Sequence, residues 1–505
     1  MLKKIVLYPI NIATTVLVML SPCTAKSITN TPNIILILAD DLGYGDLGSY
    51  GQKYIKTPNL DQMAAEGVQF NQFYSGATVC RPARCTLITG LHTGNCYSRA
   101  NNLELNLRPE DITIAEILKK RNYKTAAIGK WALGEENTTG VPGKQGFDYF
   151  YGYLNQVHAH NYYPEFLIQN EKRIPLDNKV EKPGKYGEGK ATLKKEYTND
   201  LFTNEALKFI RRNKNEPFFL YLPYTVPHAN NEANELEVPN LSIYKNRKWP
   251  DTQKSYAAMV TRLDRYVGDI FQELKKQELD QNTIVIFTSD NGPHQESGFN
   301  PEFFNSNSNL RGSKRYLYEG GIRVPLLIWG PGIVKKSIVS NHISYFPDIF
   351  STIADITKVD LKNSNDGVSF LPTLISTPNK QKTHQYLYWE YHENKGAQAV
   401  RTGDWKSVTQ PYGGTAKLYN LKDDISESKN IASQHPEILL QHKKIMDEAH
   451  SDLPPIENFR VFLAREKLLN KKLVVFTGSI VAAIAIFLFI MRMQLQKSPT
   501  RKQEF

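Results

Sequence analysis

The chain has 505 residues, 41% hydrophobic and 22% charged, with four cysteines and a formal net charge of +11. That composition excludes a disordered, collagen-like or disulfide-scaffolded chain, and the length suits one large α/β domain with a small appendage, or about three domains. The positive surplus does not point to nucleic acid: residues 1–25 carry +2, residues 466–505 carry +5, and the body from 26 to 465 carries only +4. Basic ends around a near-neutral body are the pattern of a membrane-targeted chain.

In chain order, residues 1–25 are predicted to be a secretory signal: Lys3 and Lys4, an apolar run over 5–20, then Ser21-Pro22-Cys23-Thr24-Ala25, with cleavage after Ala25. Lipidation at Cys23 competes with that reading, and Pro22 fits it poorly. Residues 33–38 (NIILIL) read as a buried strand that stops at Asp40-Asp41. Thr57-Pro58 opens a helix that Gly67 closes. Pro82 places Cys80 near a helix N-terminus, where the dipole is expected to lower a thiol pKa.

Further buried strands are expected at 124–128, 218–222, 283–287 and 323–329, with a long amphipathic helix over 256–274. The 283–287 strand (TIVIF) leads into Ser289-Asp290-Asn291-Gly292. The alternation is that of an α/β protein with a large, mostly parallel central sheet. After about residue 375 the texture changes to short antiparallel strands at 385–391, 397–408 and 416–421, then a helix over 436–449. The expected organisation is a catalytic domain over 26–375 and a small α+β subdomain over 376–465. Residues 473–491 hold no charge, which reads as a transmembrane helix rather than a buried core helix, with 492–505 as a cytoplasmic tail.

Three features carry chemistry. Asp40-Asp41 and Asp290-Asn291 put hard oxygen donors at two strand ends, where open α/β sheets bind ligands. Either pair alone is commonly a cap or turn; together, without grouped thiolates or histidines, they suit Ca²⁺ or Mg²⁺. The third feature is Cys80-Arg81-Pro82-Ala83-Arg84, followed by Ile88-Thr89-Gly90.

With these motifs the chain resembles the type I sulfatases of the alkaline phosphatase superfamily, whose signature is Cys-x-Pro-x-Arg followed by Leu-Thr-Gly. The resemblance extends over most of 30–450, through Gly129-Lys130-Trp131, Pro227-His228, Arg311-Gly312-Ser313-Lys314 and Leu418-Tyr419-Asn420-Leu421. It implies an alkaline phosphatase-like fold and a sulfuric ester hydrolase in which a maturation enzyme oxidises Cys80 to Cα-formylglycine. One oxygen of the hydrated aldehyde would attack sulfur, and the other would expel sulfate.

The same resemblance implies that the cation is Ca²⁺, with Mg²⁺ the alternative, and that Asp40, Asp41, Asp290 and Asn291, together with the modified Cys80, hold it. Arg84 would hold the nucleophile, Lys130 and Lys314 the sulfate oxygens, and His228 would protonate the leaving alcohol. Relatives often read Gly-Lys-Trp-His-Leu-Gly where this chain has Ala132. His160 is the expected substitute for the missing imidazole, and 160–164 (HNYYP) an expected sugar-facing wall. A sulfated saccharide is the expected substrate. A formylglycine-dependent phosphomonoester or phosphonate hydrolase and an inactive membrane-anchored glycan binder are the alternatives. Cys85 and Cys96 either pair or stay as small buried hydrophobes.

Overall fold

The structure, a computed structural model, describes residues 31–362 and 365–451. The expected signal at 1–25 and the apolar run at 473–491 lie outside the described residues. Among the described residues no helix is long and apolar enough to cross a membrane.

Ten strands form the central sheet: β1 (Asn33–Ala39), β2 (Val68–Phe70), β3 (Lys124–Lys130), β4 (Tyr149–Tyr153), β5 (Phe166–Gln169), β6 (Lys172–Pro175), β7 (Phe218–Pro223), β8 (Thr283–Ser289), β9 (Leu326–Trp329) and β10 (Ile338–Ser340). Their order is β10-β2-β9-β8-β1-β7-β3-β4-β5-β6. The five strands from β8 to β4 are parallel. The run expected at 323–329 is β9, which starts only at Leu326 and lies antiparallel to β8.

Every residue of β1 and β8 is buried, as parallel strands covered on both faces require. Alternate β1 residues feed two cores. Ile35, Ile37 and Ala39 pack with helices Thr198–Arg212 and Asp251–Lys276 on one face. Ile34, Leu36 and Leu38 pack with Cys80–Thr89, Ile114–Lys119 and Phe346–Thr357 on the other.

The chain after 375 forms a four-stranded antiparallel sheet, β11 (Leu387–Tyr391), β12 (Ala397–Thr402), β13 (Trp405–Thr409) and β14 (Lys417–Asn420), followed by the helix Pro436–Ala449. The single strand expected over 397–408 is two. Thr402 pairs with Trp405, and Gly403, at φ 54°, takes the left-handed backbone that the tight turn between them needs.

This small sheet is fastened to the main one by buried charge. Lys406 Nζ lies 2.9 Å from Glu319 Oε1 and 3.0 Å from Glu427 Oε1, with all three side chains 0% exposed. Glu319 Oε2 also accepts from the Tyr74 hydroxyl at 2.7 Å and pairs with Arg323 at 2.8 Å. Trp389 packs on Tyr74 and donates its indole N–H to the Ser75 carbonyl at 2.8 Å. Removing one member of a buried ion cluster leaves its partners uncompensated, a cost of about 3–5 kcal/mol. Lys406→Met is therefore expected to lower the melting temperature by several degrees in a thermal unfolding scan, and Lys406→Arg to recover part of the loss.

Candidate active site

The sheet register assembles the first half of the site. Ala39 pairs with Ser289, so Asp40-Asp41 and Asp290-Asn291, about 250 residues apart in sequence, leave neighbouring strand ends. Asp41 turns the chain at φ 66°, and its N–H donates to Asp290 Oδ1 at 3.1 Å. The Asn291 amide donates to Asp41 Oδ1 at 2.7 Å.

Lys130 ends β3. Just before it, Gly129 adopts φ 131°, and a Cβ there would sit 2.0 Å from the Pro223 carbonyl oxygen. Only glycine allows this approach, which aims Lys130 at Asp40.

The Cys80–Thr89 helix supplies the second half. Cys80 is its first residue and Arg84 lies one turn on, so both share a face. All ten residues of this helix are buried. Cys80 Sγ lies 3.4 Å from Asp40 Oδ1 and 4.0 Å from Asp41 Oδ1. Burial pushes the thiol well above its ordinary pKa, which nearby Lys130 only partly offsets. The shift is therefore opposite to the lowering expected at the helix N-terminus: burial, with the Asp40 charge beside it, raises the thiol.

Six charges meet without solvent. Lys130 Nζ donates to Asp40 Oδ2 at 2.7 Å and Lys314 Nζ to Asp41 Oδ2 at 2.8 Å. Arg84 donates to Asp290 Oδ2 through Nε at 3.1 Å and through a terminal nitrogen at 2.8 Å. Burial opposes ionisation of Asp40, but Lys130 and Arg84 outweigh it and hold the carboxyl well below the usual range. Lys314 does the same, less strongly, for Asp41. Asp290 goes the other way: burial, then the Asp40 charge, push it up to about 7 despite Arg84.

On the far flank, His228 Nε2 accepts from Lys314 at 3.1 Å, while Nδ1 donates to the Ala229 carbonyl at 2.6 Å. Burial and the Lys314 charge lower this imidazole to about 3, so it is neutral here. His160 lies face to face with His228, ring centroids 4.8 Å apart and planes 14° from parallel.

Of the sugar-facing wall expected at 160–164, residues 161–163 turn inward and only His160 stands at the rim of the site. Asn161 and Tyr162 are fully buried and Tyr163 nearly so. The Tyr162 hydroxyl instead donates to the Thr225 and His228 carbonyls, packing beneath the His228 loop. Ala132 is buried, and its carbonyl accepts from Arg81 at 2.7 Å. Cys85 and Cys96 are unpaired buried thiols.

Residues that sequence reasoning passed over complete the shell. Glu296 takes Lys314 at 3.3 Å and Arg315 at 2.6 Å. His294 is buried and contacts the Pro227 carbonyl at 3.2 Å. Both follow the Asp290-Asn291-Gly292 motif within six residues, a proximity that was readable in the sequence. Ser75, tethered by Trp389, hydrogen-bonds the Asp290 carbonyl.

The donor set fits a divalent cation. Ligating atoms of Asp40, Asp41, Cys80 and His228 lie within 4.8 Å of one another. The Asn291 amide oxygen is buried beside them with no hydrogen-bond partner, an arrangement that is costly unless something accepts its lone pairs. With one oxygen of each carboxylate taken by a cationic side chain, the remaining oxygens and the Asn291 carbonyl form a hard-donor cluster.

Comparison with known proteins agrees with this geometry. The family model "Sulfatase" matches residues 32–359, and "N-sulphoglucosamine sulphohydrolase, C-terminal" matches 312–453. The chain is 34% identical over 465 residues to human N-acetylgalactosamine-6-sulfatase, covering 87% of this chain and 83% of the relative. It is 29% identical over 490 residues to N-acetylgalactosamine-6-O-sulfatase of Bacteroides thetaiotaomicron, covering 82% and 92%. Among solved structures, Ps i-CgsB in complex with k-i-k-neocarrahexaose superposes with a TM-score of 0.72 at 29% identity, over 84% of this chain and 94% of that one. The chain belongs to the sulfatase family of the alkaline phosphatase superfamily and is a sulfuric ester hydrolase.

Proposed function

We propose that this protein removes sulfate from a sulfated sugar, using an aldehyde derived from Cys80 and one bound divalent cation. The observation that carries the reading is the buried set of three carboxylates and three cationic side chains packed around Cys80. Asp40, Asp41, Asp290 and Asn291 would hold the cation, whose oxygen donors suit Ca²⁺ or Mg²⁺ and which the family resemblance makes Ca²⁺. When bound, it would supply Lewis-acid polarisation of the sulfate.

The remaining roles belong to the chain. Lys130 and Lys314 each bind one oxygen of a carboxylate whose other oxygen a cation would take, which sets both ammonium groups beside the cation, where they would face sulfate oxygens. Arg84, anchored by Asp290 and the Lys130 carbonyl, points its positive charge at the Cys80 end of the helix. His228 Nε2 accepts from the Lys314 ammonium, which puts a protonated lysine and an imidazole side by side on the leaving-alcohol side. A sugar as leaving group is supported by the relatives named as N-acetylgalactosamine-6-sulfatases.

The proposal extends to location: an exported body tethered by residues 473–491, resting on the charge-free run there and the basic, apolar start of the chain. Carbonate extraction is expected to leave the full chain with membranes and to release a chain ended at residue 465; release of both contradicts the anchor.

The chemistry is tested on protein co-expressed with a formylglycine-generating enzyme. The peptide containing Cys80 is expected to weigh about 18 Da less than its cysteine form. Cys80→Ala is expected to lose at least about a thousandfold in sulfate release from 6-sulfated N-acetylgalactosamine or related sulfated monosaccharides. An unmodified Cys80 in fully active protein would overturn the reading.

A further inference from the structure

His160 is held by a carboxylate outside the charge cluster. Its Nδ1 sits 3.1 Å from both oxygens of Glu232, and an imidazole nitrogen facing a carboxylate carries the proton. Nε2 is thereby left as an acceptor, and among the described residues the ring's hydrogen bonds run through Nδ1 alone.

The pair is built, not incidental. Glu232 occupies a turn closed by reciprocal backbone hydrogen bonds between Asn230 and Glu235, at 2.9 and 3.1 Å. That turn begins two residues after His228, and the Asn230 side chain ties it down through Glu237 at 2.8 Å. His160 closes a 3₁₀ turn, His158–His160, and its ring lies flat against His228. His160 is 9% exposed, and the Glu232 side chain 30% exposed, so the pair stands at the rim of the buried site.

We propose that Glu232 is a positioning residue that fixes the tautomer of His160, and that His160 Nε2 accepts a hydrogen bond from a free hydroxyl beside the sulfate ester of the departing sugar. This rests on the sulfatase reading above and adds a substrate requirement to it: the leaving alcohol must carry a neighbouring donor. The stacked rings then divide the labour on that side, His228 facing the ester oxygen through the Lys314 pair and His160 reading the next hydroxyl.

The test uses the matured enzyme with three esters: methyl galactoside 6-sulfate, its 4-deoxy analogue, and 4-nitrophenyl sulfate, which offers no neighbouring hydroxyl. The parent is expected to prefer the hydroxylated sugar over the deoxy sugar by about 10- to 100-fold in kcat/KM. In His160→Ala and Glu232→Ala that preference should collapse to within about threefold, and in Glu232→Ala 4-nitrophenyl sulfate turnover and the melting temperature should stay unchanged. Glu232→Gln, which keeps an acceptor for Nδ1–H, should retain most of the preference. Equal losses on all three esters would mark a merely structural pair and overturn the assignment, as would an unchanged preference in Glu232→Ala. A parent that cleaves 4-nitrophenyl sulfate but does not distinguish the two sugars overturns this inference alone. A parent inactive on all three overturns the sulfatase reading and this inference with it.

Discussion

The structure is organised around one electrostatic constraint: three carboxylates and three cationic side chains share a site from which water is excluded. Asp40 faces Lys130, Asp41 faces Lys314 and Asp290 faces Arg84, in contacts of 2.7 to 2.8 Å. Charges cannot be buried singly, so the set holds only as a balanced whole. A balanced set is also a poised one. Adding a divalent cation to the carboxylates leaves the cationic side chains in excess, and that excess is what an anionic sulfate ester would meet.

The rest of the fold serves to hold these six groups in place. The parallel register of β1 and β8 brings the two acidic pairs together, and β3 delivers Lys130 from two strands away. The small antiparallel sheet reaches the site indirectly, through Trp389 to Ser75 and from Ser75 to the Asp290 carbonyl. A second buried charge cluster, Lys406 with Glu319 and Glu427, locks that sheet down. Its integrity is therefore coupled to the acidic strand end, although none of its side chains lies in the site.

Much of this was legible because burial leaves strong local signals. The run at 33–38 could only be a strand covered on both faces, and its abrupt end at Asp40-Asp41 marked the site. Cys80 and Arg84 stood out by spacing. The short outer strands β5 and β6 were not legible, because partly exposed strands with mixed polarity carry no clear period. Nor could local sequence reveal that Tyr162 would be buried beneath His228, since that depends on a loop sixty residues later. The Cys80 pKa misled for a related reason: a helix N-terminus is visible in sequence, but the depth of its burial is not. Glu232 carried no motif of its own, and only tertiary placement relates it to His160; Glu296 lay in view beside the Asp290 motif, but its pairing with Lys314 is tertiary.

The central claim is that the carboxylate cluster takes one divalent cation. It is tested most directly by metal analysis together with melting curves of the matured enzyme, before and after chelation, at pH 5 and pH 8. Asp290 has its pKa raised to about 7 in the folded state against an ordinary unfolded value near 4. Without cation, it therefore costs stability as pH rises through that window. A cation favours the ionised carboxylate and should recover that loss. The account predicts one Ca²⁺ per chain and a cation-induced rise in melting temperature that is larger at pH 8 than at pH 5, with Asp290→Asn abolishing the difference. Fewer than one cation per active chain, or a rise independent of pH and of Asp290, would contradict it.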